Sequence, residues 1–339
     1  MVSRRILLSG LAATLLAPIP RGAVAAEPGA PGQSPAQREP AGMVDVALFR
    51  DATEMLFAVA DRRRQDDPAA PPVPRRIFVK DADEAHRFAL DGTYPIVGMS
   101  LDDLLDCARS THPRAADLVA IAGVHRGFLQ LIARGGITSL ADLKGKRVAV
   151  DTDTGYARAL FEILRRAGLE AGRDYEVVYA GATNLRFTKL LDGAFDATLL
   201  GAPFTRVARD QGFVSLGSVI AALGGYQAVV LVAQRPWLAD NTAAARAVTT
   251  SLFGALAWAR QEENAAAVAA ALHTALPPCP PATAAAVTID LFGPASEFLA
   301  DGRMQTQDTD VVLRLFNAAH STAVTPQALA GMTDLRLLP

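Results

Sequence analysis

The chain has 339 residues, half of them hydrophobic and a fifth charged, with a formal net charge of only −2. That balance suits a core-forming protein and excludes the basic footprint of a nucleic-acid binder or of a protein held on an anionic membrane. No stretch after the N-terminal leader approaches the roughly 20 apolar residues that span a bilayer, so no membrane insertion is expected once the leader is gone.

The N-terminus reads as a removable export signal. Arg4 and Arg5 precede an apolar run from Ile6 to Ile19 that is closed by Pro18 and Pro20, and Ala23-Val24-Ala25 supplies a small-residue cleavage site. Cleavage is expected after Ala25 or Ala26, leaving about 313 residues in the periplasm. Ser3-Arg4-Arg5-Ile6-Leu7-Leu8 resembles the twin-arginine signal. No cysteine follows the apolar run, which argues against a lipid anchor. The two cysteines, Cys107 and Cys279, either pair across a long loop or stay as buried thiols.

A chain of this size exceeds what one core usually serves, so two domains are expected after a disordered, Pro-rich linker over residues 27–42. From Val44 the pattern alternates between short apolar runs and helical periods, which predicts an α/β fold with mostly parallel strands. Strands are predicted at 44–49, 77–80, 95–99, 118–122 and 128–133, with helices at 53–63, 83–90 and 101–110. Pro-rich residues 66–74 read as an exposed loop. A second series follows, with strands at 147–151, 176–179 and 197–200 and helices at 156–167, 185–192 and 204–210. After a strand at 227–233 the chain becomes helical, over 243–262, 265–275, 282–291 and 309–321. This order predicts two lobes joined by crossing strands at 128–133 and 227–233. Lobe 1 would comprise 43–134 plus 228–339, and lobe 2 135–227.

Ser139-Leu140-Ala141-Asp142-Leu143-Lys144-Gly145-Lys146-Arg147-Val148-Ala149-Val150 resembles the segment that opens the second lobe of periplasmic solute-binding proteins of the nitrate/sulfonate/taurine type, a group that includes thiamine-precursor binders. The resemblance continues through Leu190–Ala197, Gly201-Ala202-Pro203, Tyr226–Ala233 and Ala255–Trp258, and spans about Leu118 to Glu262. Phe49–Glu54 and the Pro-rich loop depart from the pattern. The resemblance implies a two-lobed type II periplasmic-binding fold, an interlobe cleft that closes on a small solute, and delivery to an ABC transporter permease. Such a chain is expected to be monomeric and free of cofactor.

In open α/β sheets ligands sit beyond the carboxyl ends of strands, against helix N-termini. The leading candidate segment is Thr152-Asp153-Thr154-Gly155-Tyr156, where the resemblance also places ligand; free backbone N–H groups could receive an anionic head there. Asp153 at that lip would repel sulfonate or nitrate and favour a neutral or partly cationic solute, unless it or Thr154 caps the helix. Equivalent strand ends add Thr183, Asn184, Ala202, Phe204 and Tyr226 from the second lobe. The first lobe adds Phe49, Arg50 and Asp51, then Met99 and Ser100, then His125 and Arg126. Phe49, Phe204 and Tyr226 either stack on a planar solute or belong to the core. Arg50 and Arg126 either fork a carboxylate or sulfonate or form ion pairs, and His125 is either a contact or a structural histidine.

Enzymatic signatures are absent. The five histidines never fall at H-x-x-x-H spacing, and no nucleophile elbow, phosphate loop or dinucleotide turn occurs, so neither a metal nor a catalytic role is expected. Related thiamine-pyrimidine synthases share the implied fold, but their cysteine-rich motif has no counterpart. The solute is expected to be a small polar or anionic organic molecule: a sulfonate, a carboxylate or a pyrimidine. Signalling to a membrane receptor is the alternative to transport.

Overall fold

The computed structural model describes residues 44–275 and 280–339; the predicted leader, its cleavage site, the linker and Cys279 lie outside the described residues. Two five-stranded mixed sheets organise these residues. The first begins with β1 (Asp45–Leu48), α1 (Ala52–Asp66), β2 (Arg75–Phe78), α2 (Ala82–Asp91), β3 (Ile96–Ser100), α3 (Leu101–Arg109) and β4 (Leu118–His125). The helices start where caps predict: Asp51 Oδ1 accepts from Thr53 N at 2.8 Å, Asp81 Oδ1 from Glu84 N and Ser100 Oγ from Asp103 N.

The chain then enters the second sheet through β5 (Gln130–Ala133), β6 (Arg147–Val150), α4 (Tyr156–Arg166), β7 (Glu176–Tyr179) and α5 (Thr183–Leu191). The sheet is completed by β8 (Ala197–Leu200), α6 (Phe204–Asp210), β9 (Val214–Ser218) and α7 (Val219–Leu223). β10 (Val229–Gln234) returns to the first sheet, followed by α8 (Arg235–Asp240), α9 (Thr242–Ala259), α10 (Ala265–Ala275), α11 (Pro281–Phe292), α12 (Thr306–Ala318) and α13 (Pro326–Gly331). β9, α7, α8 and α13 are short elements without a sequence prediction. Among the described residues no helix is long and apolar enough to cross a membrane.

The strand orders are β2-β1-β3-β10-β4 and β7-β6-β8-β5-β9, the same arrangement twice. Four pairings are parallel, β1 with β2 and β3, and β6 with β7 and β8. The other four, made by β10 and β5, are antiparallel. Four of the five strands in each sheet run the same way, as the sequence predicts, and only β10 and β5 are reversed. A parallel ladder needs a crossover within one sheet, whereas β5 and β10 each arrive directly from the other sheet and run against their neighbours. The predicted crossing strands 128–133 and 227–233 correspond to β5 and β10, each within one sheet, and the chain passes between the sheets in residues 126–129 and 224–228 at their N-terminal ends.

Both crossings are anchored to one carboxylate. Asp308 on α12 has a fully buried side chain; its Oδ1 accepts from Arg126 Nη2 at 2.7 Å and from Tyr226 N at 3.0 Å, and its Oδ2 lies 2.7 Å from Arg126 Nε. Phe128, in the outgoing crossing, adopts φ 53°, a conformation costly for a residue with a Cβ. It is held by ring contacts to His125 and Phe298 with centroids 5.5 and 5.0 Å apart.

Candidate functional site

The carboxyl ends of the two sheets supply a shared cradle. Phe49 and Asp51 follow β1, Ser100 ends β3 and Asp103 lies in the first turn of α3. From the second sheet come Asp151 after β6, Tyr156 opening α4 and Thr183 opening α5. The space they enclose is tight, about 20 Å³. The two sheets approach closely here because Gly155 lacks a side chain: a Cβ on it would lie 3.0 Å from Asp103 Oδ2 and 3.1 Å from Ser100 Oγ, and its φ of 56° disfavours one in any case. Ala182 N also donates to the Lys80 carbonyl at 2.8 Å, joining the loop after β7 to the loop after β2.

Three carboxylates line the cradle, and their surroundings differ. Burial opposes ionisation of Asp103, but hydrogen bonds from His86, whose Nε2 is 3.0 Å away, and from Ser100 and Thr154 outweigh it and hold the carboxyl below its usual range. Burial pushes Asp151 up to about 6 against the attraction of Arg186, 3.7 Å away. Burial likewise pushes Asp51 up to about 6, opposed only by N–H and hydroxyl donors. Its neighbour His125, 3.8 Å away, is itself driven down to about 3 by burial and stays neutral. Tyr156 is raised well above the ordinary phenol range, first by burial and then by Asp51, Asp103 and Asp151. The cradle is therefore rich in acceptors and poor in cations.

Arg186, completely buried, organises the second-sheet wall: it donates to Gly181 O at 2.6 Å, Thr198 Oγ1 at 3.1 Å and Thr183 Oγ1 at 3.2 Å. A larger cavity of about 360 Å³ adjoins along the same helices. Arg50, Glu54 and Met55 wall it from the first sheet; Asn184, Phe187, Thr188 and Phe204 from the second; Ala275 from α10.

Of the residues singled out in the sequence, Phe49, Asp51, Ser100, Tyr156 and Thr183 line the cradle, and Arg50, Asn184 and Phe204 line the larger cavity. The others sit elsewhere. Met99 is fully buried core on β3. Among the described contacts His125 accepts from Gly127 N at 3.0 Å and bonds Thr53 Oγ1 at 3.1 Å, a structural role. Arg126 is the partner of Asp308 rather than a ligand fork. Asp153 neither caps α4 nor faces the cradle; it accepts from Tyr179 OH at 2.6 Å, and the cap position is Gly155. Thr152 and Thr154 bond each other at 2.9 Å, and Thr154 supports Asp103. Ala202 is buried beside a cis bond to Pro203. Tyr226 is buried, with its hydroxyl donating to Asp102 Oδ2 at 2.6 Å. Sequence reading missed Asp103, Asp151, Glu54, Phe187 and Arg186. Position one turn into a helix after a strand would have found Asp103 and Glu54, but only packing places Phe187 and Arg186.

Among the described residues no group of His, Cys, Asp and Glu is arranged to hold a metal ion. Cys107 is a buried free thiol, pushed far above its usual range first by burial and then by Asp103 and Asp106.

Two mixed α/β sheets of this order, with sites at facing strand ends, define the type II periplasmic-binding-protein fold. Solved structures agree. The nitrate-binding protein NrtA from Synechocystis PCC 6803 superposes with TM-score 0.66 at 11% identity, covering 87% of this chain and 87% of that chain. The alkanesulfonate-binding protein SsuA from Xanthomonas axonopodis pv. citri, bound to MOPS, gives 0.61 at 18% identity, over 84% and 92% of the two chains. A zinc-bound ligand-binding component of an ABC-type import system from Staphylococcus aureus gives 0.69 at 10%, over 87% and 97%. Identities this low establish the fold and leave ligand choice open. In sequence, residues 105–266 match the family model described as NMT1/THI5 like, so the resemblance to nitrate/sulfonate-type periplasmic binding proteins read from residues 118–262 holds. No curated protein matches the chain in sequence.

Proposed function

We propose that the chain is an extracytoplasmic solute-binding protein that closes two lobes over a small organic molecule and presents it to an ABC importer. The observation that carries this reading is the shared cradle, in which Asp51 and Ser100 from one sheet face Tyr156 and Thr183 from the other, beside a cavity of about 360 Å³ walled from both. That volume lies in the range of small-molecule sites. Lobe movement about residues 126–129 and 224–228 would open it. The solved proteins that share the fold carry names of ABC import binding components, which supports binding over catalysis and a periplasmic location. The buried carboxyls disfavour nitrate or a simple sulfonate in the cradle and favour a solute that donates hydrogen bonds.

The test is a thermal-unfolding screen of the purified chain against sulfonates, carboxylates, nitrate, pyrimidines and amines. A ligand present at 100 times its Kd should stabilise the fold by about 2.7 kcal/mol. A screen in which no class raises the melting temperature would overturn the reading.

A further inference from the structure

Glu54 extends from the first turn of α1 into the larger cavity, is only 7% exposed, and its Oε2 has no hydrogen-bond partner among the described residues. The nearby cations are occupied. The Arg50 guanidinium lies over the Phe78 ring, 3.8 Å from the centroid, and Arg76 pairs with Asp61 at 2.6 Å. A buried carboxyl with an open acceptor costs free energy unless something completes it. Across the cavity stand the amide of Asn184 and the rings of Phe187 and Phe204, tilted 39° with centroids 5.1 Å apart.

Resting on the solute-binding reading, we propose that this cavity selects an organic cation with a flat apolar body, an amine or amidine, whose N–H groups are received by Glu54 and whose ring lies against Phe187 and Phe204. The chemistry on each wall calls for that combination. Aromatic faces attract planar apolar groups and tolerate positive charge, while a desolvated carboxylate and a cationic donor form a hydrogen bond stronger than a neutral one. An anion of the same shape would need to enter beside Glu54 with no buried cation among the described cavity-lining residues to receive it; Arg50 is exposed and already stacked.

The protonation of Glu54 gives a second readout. Burial, opposed by Arg76 and Arg50 and aided by Asp51 and Asp61, pushes it up to about 7. At pH 7 the unliganded protein therefore holds part of a proton there, and a cation should expel it.

Isosteric ring compounds separate charge from shape: benzamidine and benzylamine, benzyl alcohol, benzoate and benzenesulfonate. Calorimetry on the full chain should show benzamidine or benzylamine binding about tenfold or more tightly than the others. At pH 7, comparison of two buffers should show a proton released. Glu54→Gln should weaken cation binding about tenfold, abolish the proton release and leave the melting temperature of the unliganded chain close to that of the parent. Preferred binding of benzoate, benzenesulfonate or benzyl alcohol, or binding in the broader screen confined to solutes without a cationic donor, would overturn the cation inference alone. No binding by any compound in either panel would overturn the solute-binding reading with it.

Discussion

Arg158 on α4 and Asp106 on α3 join the second sheet to the first through a bidentate pair, Nη1 to Oδ2 at 2.8 Å and Nη2 to Oδ1 at 3.0 Å. Both side chains are mostly buried, and two C-terminal groups back the pair: the Phe316 ring under Arg158, 5.1 Å to the centroid, and His320 Nε2, 3.4 Å from Asp106. A planar fork on a carboxylate fixes direction as well as distance. Under the proposed lobe closure, the pair serves as a latch that favours the closed arrangement.

Arg158→Ala should release that latch. Losing about 1–2 kcal/mol of preference for the closed form lowers apparent ligand affinity roughly 5- to 30-fold. Small-angle scattering of the variant should show a larger radius of gyration at saturating solute than the parent shows. An unchanged radius and affinity would mean that closure does not depend on the pair.

Gly155→Ala probes the close approach at the cradle itself. The added methyl meets Asp103 Oδ2 and Ser100 Oγ at 3.0–3.1 Å from a backbone at φ 56°, ψ −127°. Strain of about 1–3 kcal/mol is expected. Denaturant melts should show it as a lower midpoint, and calorimetry as weaker solute binding.

Arg126 and Asp308 predict a loss of stability rather than of specificity. Removing either leaves the other partner without its counter-charge; for Asp308 the Tyr226 N–H loses its acceptor too. Asp308→Ala should cost about 3–5 kcal/mol by urea unfolding. Arg126→Ala should destabilise the fold by a comparable amount, because it leaves the fully buried Asp308 carboxylate without its counter-charge, while the charge preference among solutes stays as in the parent.

Asp102 offers a pH test outside the cavities. Burial pushes its carboxyl up to about 7, although Tyr226 OH and Arg158 pull it down, and its Oδ1 has no partner among the described residues. A carboxyl raised from about 4 in the unfolded chain to about 7 in the fold binds more protons when folded across that interval. Its contribution is therefore complete at low pH and is lost as pH rises through about 7. Asp102→Asn keeps an acceptor for Tyr226 without the charge. The stability of the variant relative to the parent should rise from pH 4 to 7 and level off above 8, as measured by melting temperature across a buffer series.

Periodicity and caps made much of the scaffold legible. The strands at 176–179 and 197–200 and the helices at 204–210 and 265–275 coincide with their sequence readings. Apolar runs and helical spacing are local properties, so they show even in the edge strand 176–179, none of whose residues is fully buried. Short elements such as β9 and α13 carry too few residues for either period to show. Strand ends likewise pointed to Phe49, Asp51, Ser100, Tyr156 and Thr183, because a helix N-terminus after a strand is written in consecutive residues.

The sequence by itself determined the α/β character, the two-part order and the helical C-terminal stretch, since each follows from contacts between residues near in the chain. Tertiary structure decided which side chains face one another. In sequence Arg126 is either an anion fork or an ion-pair partner, and only the fold brings Asp308, 182 positions away, to make it the latter; Asp153, a charged lip or a cap in sequence, instead accepts from Tyr179. The character of the cavity follows the same logic. Glu54 is an ordinary first-turn acid in sequence, and only the tertiary arrangement that packs α1 on α9 and α10, with α5 and α6 across the cavity, buries it with an open acceptor, because desolvation depends on what the rest of the chain brings alongside.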